Sequence, residues 1–202
     1  MHWMAESAVS SREQRTRDTE RALRRRAREL TAERGLTGFT VEELCAEVGV
    51  SRRTFFNYFA GKENAVLGVS MRTDVSEAEA AFVTGDGDLL DALAALMIAR
   101  WESVDMDISE ARLVGAAVER SPELHRTFFA HIAEAQRADR ALIAGRQGWP
   151  DDDERAAVAV DLVGSLMRPC VDRFFAHDGT VPFADIFRDR LAVARSLLDP
   201  AC

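Results

Sequence analysis

The sequence predicts an all-α fold of about nine helices, and three observations carry that expectation. Apolar residues recur at three- and four-residue steps along most of the 202-residue chain. Glycine, proline and short polar runs punctuate these stretches at helical lengths. No alternating apolar–polar run of useful strand length occurs.

Residues 1–15 are polar, with Ser7, Ser10 and Ser11, and read as a flexible arm. Helical periodicity runs from Arg12 to Arg34 through Ala22, Leu23, Ala27 and Leu30, and Gly35 ends it as a C-terminal cap. Thr40, with Glu43 three residues on, has the pattern of a capping box and opens a short helix whose apolar face is Val41, Leu44, Cys45 and Val48. Gly49 stops that helix, Ser51 caps a third from Arg52 to about Phe59, and a fourth runs from Lys62 to about Phe82. The polar run Thr84–Asp88 breaks the chain, and Leu89 to Trp101 forms the next helix. A shorter helix spans Ser109–Glu119, and Pro122, tolerated in a first turn, opens a long one to about Ala144. The acidic run Asp151–Glu154 suits the positive end of a helix reaching about Phe175. Pro169 should kink or interrupt that helix, because it removes a backbone donor. Phe183 to Leu198 is the last helix.

Composition narrows the possible roles. With 47% apolar residues the chain can bury a core, yet it has no run of about 18 uncharged apolar residues, so no membrane span and a cytoplasmic location are expected. Cys45, Cys170 and Cys202 are too few and too scattered for a disulfide framework. His125, His131 and His177 do not combine with Cys170 at metal-ligand spacing, so no metal or other cofactor is expected. No nucleophilic triad, phosphate loop or paired-carboxylate signature marks an enzyme. Net charge is −8, unevenly spread: residues 1–70 hold 12 Arg/Lys against 10 Asp/Glu, and residues 71–202 hold 14 against 24. A locally basic head on an acidic body fits a protein that touches nucleic acid at one end.

The turn Gly49-Val50-Ser51 between two short helices has the form of a helix-turn-helix, whose second helix presents its first residues to the major groove. Those residues are Arg52, Arg53 and Thr54. Arginine forks onto guanine O6 and N7, and threonine reaches a thymine methyl. Asn57 and Tyr58, one turn on, suit a base edge or a phosphate. Thr40 and Lys62 suit phosphates, with Arg15 and Arg17 adding reach, and Val41 and Ser51 complete the expected DNA-binding set. Phe55, Phe56 and Phe59 read as core rather than contact, with one of the three left able to reach the sugar-phosphate wall. A helix pair of this kind, taken alone, is also an ordinary corner of a helical bundle.

The run Gly38–Glu63, GFTVEELCAEVGVSRRTFFNYFAGKE, resembles the signature of the TetR (tetracycline repressor) family. The match includes Gly38, Phe39, Thr40, Val41, Ala46, Gly49, Val50, Ser51, Phe55, Tyr58, Phe59, Lys62 and Glu63. Leu44-Cys45 stands where Ile-Ala is usual, Val48 where alanine is common, and Phe56 where tyrosine is frequent. The resemblance implies a DNA-binding domain over residues 16–64 and a ligand-binding and dimerisation domain over residues 65–202. It also implies a homodimer on palindromic double-stranded operator DNA, paired through the last two long helices, and a small effector that releases the repressor.

Met97, Trp101, Phe128, Ile132, Leu166, Met167 and Phe174, with Phe129, are the candidate walls of an apolar ligand pocket, and each also reads as simple core. The segment Ser121–Leu124 and the later Gly148–Asp152 are similar to regulators of this family that respond to acyl-CoA. That would set Arg100, Arg137, Arg140 or Arg168 against phosphates or, equally, against carboxylates of the chain. An activator, a regulator without a ligand, and a helical small-molecule-binding protein that never touches DNA remain alternatives.

Overall fold

The computed structural model describes residues 3–71, 76–104 and 106–198, and Cys202 lies outside them. Among the described residues there are eleven α-helices and one 3-10 turn, with no strand. The chain divides into two compact units: Met1–Thr73 with Asp105–Ala130, and Asp74–Val104 with His131–Cys202. The division differs from a single cut near residue 64, since a later segment joins the N-terminal unit.

In the first unit α1 spans Trp3–Arg34. Its backbone is helical across most of the segment expected to be a flexible arm. The run from Met4 to Arg34 holds no glycine or proline to stop a helix. Among the described side chains of α1, Leu23, Ala27 and Leu30 are fully buried. After the turn Leu36–Gly38 come α2 (Val41–Val48), α3 (Arg52–Phe56) and α4 (Lys62–Leu67). Helix α7 (Ile108–Arg120) and the start of α8 (Pro122–Gln147) complete the unit. Their shared core joins Leu23, Leu30, Phe39, Leu44, Phe55, Phe59, Val66 and Leu124. Each such side chain contributes roughly 1.5–3 kcal/mol through burial.

The expected fourth helix is instead two, because α4 stops at Gly68. Gly68 adopts φ 80 and its N–H caps carbonyls of the last turn. An added Cβ there would lie 2.9 Å from the Arg28 guanidinium, so glycine is required twice over. The signal was hidden inside an otherwise periodic apolar run. Arg28 itself is 3% exposed, donates to the Val66 carbonyl at 3.0 Å, and faces Glu110 of α7 at 3.3 Å.

The second unit holds α5 (Ser76–Thr84), α6 (Leu89–Ser103), the remainder of α8, α9 (Glu154–Ser165), α10 (Met167–Ala176) and α11 (Phe183–Leu198). The interruption expected around Pro169 occurs at Leu166, whose N–H bonds three residues back to Val163. Pro169 then occupies the first turn of α10, where its missing donor costs least. The core of this unit is built on Leu93, Leu96, Val160, Val163, Ile186 and Phe187. Asp139 is buried in it, 3% exposed, with Arg100 held between Asp139 at 2.6 Å and Glu79 at 3.0 Å. Burial pushes the Asp139 carboxyl up from its ordinary value, and Arg100 opposes that shift.

Candidate nucleic-acid interface

The site begins with two well-capped short helices. Thr40 Oγ1 accepts from the Glu43 N–H at 3.1 Å, and the Thr40 N–H donates to Glu43 Oε2 at 2.7 Å. The Thr40 N–H and the Thr40 hydroxyl, which donates to the same oxygen at 3.0 Å, hold the Glu43 carboxyl below its ordinary value. Gly49 takes the left-handed conformation, φ 78, that lets the chain turn sharply into α3. Ser51 then caps α3, accepting from the Thr54 N–H at 3.0 Å. On the other side of α2, Arg26 of α1 bridges Glu29, Glu33 and Glu47. That network ties the first helix of the pair to α1.

This frame brings Thr40, Ser51, Arg52, Arg53 and Asn57 to the surface, with Val41, Thr54 and Lys62 half-buried. Arg52 is not loose: its guanidinium pairs with the Glu42 carboxylate, Nη1 to Oε1 2.9 Å, and lies 5.5 Å from the centroid of the Phe56 ring. Phe55 and Phe59 are fully buried, as a core reading requires, but Phe56 is 41% exposed. The sequence left room for one outward aromatic but did not single out Phe56, because an aromatic pair on a five-residue helix has too short a period to assign faces. Arg15 and Arg17 are exposed on α1.

Two of the expected contacts sit differently from a free DNA-facing group. Tyr58 is 8% exposed and packs beside Phe59 in the core of the first unit. Helix α3 ends before it: the Asn57 N–H bonds to both Arg53 and Thr54 carbonyls, and the tightened turn rolls Tyr58 inward. Lys62 donates to the Phe39 carbonyl at 3.0 Å and stands 5.2 Å from the Phe39 ring centroid. Its amine ties α4 to the segment that enters α2.

The residues expected to line a ligand pocket separate. Met97, Trp101, Leu166, Met167 and Phe174 all pack against the core of the second unit. Trp101 stacks on Phe183, centroids 4.5 Å apart, and meets Phe174 edge-on at 5.8 Å. Phe183 was not among the expected walls; its place at the head of the last apolar stretch was the available signal. Phe128 belongs to the first unit, and Phe128, Phe129 and Ile132 are exposed. Two grooves mark the second unit. One, of about 350 Å³, is bounded by Leu90, Arg155, Val158 and Leu162, and the other, of about 250 Å³, by Ala94, Ile98, Leu191 and Arg195. Neither includes an expected pocket residue. Arg140 lies 3.7 Å from Asp161 and Arg168 lies 3.1 Å from Asp172, so, like Arg100, both stand beside carboxylates. Arg137 is exposed.

Among the described residues no helix is long and apolar enough to cross a membrane, and no three His, Cys, Asp or Glu side chains gather as a metal site. Residues 23–67 match the model of the bacterial regulatory proteins of the tetR family. The chain is also 29% identical over 157 residues to the HTH-type transcriptional regulator TcmR of Streptomyces glaucescens, a match covering 71% of this chain and 66% of the relative, just under two thirds of its length. Both likenesses point to a regulator rather than an enzyme. Residues 23–67, which hold α2, α3 and the turn between them, are thus similar to the matching region of the tetR family of bacterial regulatory proteins.

Proposed function

We propose that this chain is a repressor that binds a palindromic operator in double-stranded DNA as a homodimer and is released when a small apolar molecule binds the second unit. The observation that carries the reading is the exposure of Arg52 and Arg53 side by side at the capped start of α3, on a helix pair whose other face is fully buried. A pair of such helices, one per protomer, reads two half-sites about 34–36 Å apart. Apolar side chains left in solvent on α9 (Val158, Leu162) and α11 (Val193, Leu197) support pairing through these helices. Such a role puts the protein in the compartment that holds the DNA, the cytoplasm.

The aromatic and methionine side chains around Trp101 support an apolar effector. Because these groups now fill each other's space, a ligand would part Trp101 from Phe183 or Phe174 and so prefer one state of the protein over another. An acyl-CoA belongs among the test ligands, though Arg100, Arg140 and Arg168 would have to leave carboxylates to meet its phosphates.

Selection of bound sequences from random DNA by the purified protein should return a palindrome. Replacing Arg52, Arg53 and Thr54 together by alanine should abolish its binding while far-UV circular dichroism and oligomeric state stay unchanged. Retained affinity in that variant would refute groove reading by α3. A thermal-shift screen of metabolites, acyl-CoAs included, then identifies molecules that both stabilise the protein and release the operator.

A further inference from the structure

We propose that Glu42, Arg52 and Phe56 form a guanine-reading unit in which Glu42 acts as a positioning residue. This rests on the reading of α3 as the groove-entering helix. Arg52 stands at the first position of α3, and Glu42 stands in the first turn of α2. The Glu42 carboxylate is ion-paired with the guanidinium, Oε1 lying 2.9 Å from Nη1, while the Phe56 ring centroid lies 5.5 Å from its central carbon. Both charged side chains remain more than half exposed, 61% for Arg52 and 56% for Glu42, and Phe56 is 41% exposed. The unit therefore sits at the surface with nothing of the first unit's core covering it.

A surface arginine normally wanders among many rotamers, and fixing it on a base costs ordering entropy. Here the paired carboxylate and the aromatic face beneath it restrict where the guanidinium sits before DNA arrives. The remaining N–H groups still form a fork, and a fork needs two acceptors on one base edge, which guanine O6 and N7 supply. Glu42 would also repel phosphates, so a role in raw affinity is the wrong sign for it; held against Arg52, its negative charge serves discrimination instead. Arg53, exposed and beside no carboxylate among the described residues, is left to supply charge to the backbone.

The two effects of Glu42 have opposite signs, which makes the idea testable. Wild type, Glu42→Gln, Arg52→Ala and Phe56→Leu should each be run through selection from random DNA. Competition binding on the selected site and on copies with one guanine replaced would follow. Arg52→Ala should erase preference for one guanine per half-site, a loss of about tenfold, and Glu42→Gln should weaken the same preference about threefold. Glu42→Gln should at the same time bind unselected DNA more tightly, with a steeper salt dependence, because one repelling charge is gone. Phe56→Leu should weaken the guanine preference without that gain.

If Glu42→Gln keeps the full guanine preference, or if Arg52→Ala alters a base other than guanine, the positioning role is overturned while α3 remains the reader. Absence of any selected sequence for the wild type sinks the DNA reading itself. Far-UV circular dichroism of each variant separates these outcomes from loss of fold.

Discussion

Replacing Glu110 by glutamine removes the carboxylate paired with the buried Arg28 guanidinium at 3.3 Å, with Asp107 left as a weaker opposing charge, yet leaves an oxygen to accept from the Asp107 N–H at the start of α7. Arg28 is 3% exposed, and burial pushes its guanidinium down from the ordinary value while Glu110 opposes the shift. Stranding a fully buried charge costs about 3–5 kcal/mol. Here the Glu110 side chain is 21% exposed and the contact is 3.3 Å, and the Val66 carbonyl still accepts from Arg28 at 3.0 Å. The expected loss for Glu110→Gln is therefore about 1–2 kcal/mol, less than half of the fully buried case. Glu110→Ala should lose about 1 kcal/mol more, since the capping box goes as well. Urea unfolding followed by far-UV circular dichroism measures the loss, and hydrogen exchange should localise it to α1, α4 and α7. Combining Glu110→Gln with Arg28→Met removes both charges and should recover part of the stability, a clear failure of additivity. A Glu110→Gln midpoint equal to wild type, or a double variant whose losses simply add, would refute the account of a buried charge in need of its partner.

Two further outcomes are expected. Ser51→Ala removes the bond to the Thr54 N–H and should lower stability by about 1 kcal/mol, with a parallel fall in operator affinity measured by fluorescence anisotropy; unchanged affinity would show that α3 needs no cap to read DNA. Asp153, bonded by Arg155 through side chain and backbone, has its carboxyl pulled from 3.8 down to about 2. A depressed carboxyl stabilises the fold above its unfolded value and loses that contribution as pH falls through about 2, so Asp153→Asn should show a flatter acid-unfolding curve across that interval. An identical curve would mean the Arg155 contact does not form in solution.

Much of this architecture is written locally. The capping box at Thr40–Glu43, the left-handed Gly49 and the Ser51 cap are fixed by residues within a few positions of one another, and each is legible as a pattern. The burial of Phe55 and Phe59 follows from their one-turn spacing. What was not legible depends on distant partners. Gly68 ends α4 partly because Arg28, forty positions earlier in the chain, occupies the space beside it. Tyr58 turns inward because the last turn of α3 tightens, and Lys62 is drawn to the Phe39 carbonyl instead of outward to solvent. The surface clamp on Arg52 joins residues from two helices, and no pattern within either one announces it. The proposed pocket was the hardest part, since an aromatic side chain that lines a cavity and one that fills a core have the same sequence signature. Phe183 and Trp101 are stacked on each other, while Phe128 and Ile132 stand exposed.

The lysine at the foot of the helix pair has a chemical corollary. Of the 26 cationic Lys and Arg side chains, Lys62 alone carries a primary amine, and the rest are guanidinium groups indifferent to acylation. Any acetylating enzyme or amine-directed reagent acting on side chains of this sequence therefore has one address. Acylation at that address would cancel the charge above the Phe39 ring and, by the same act, loosen the strap between α4 and the entrance to α2.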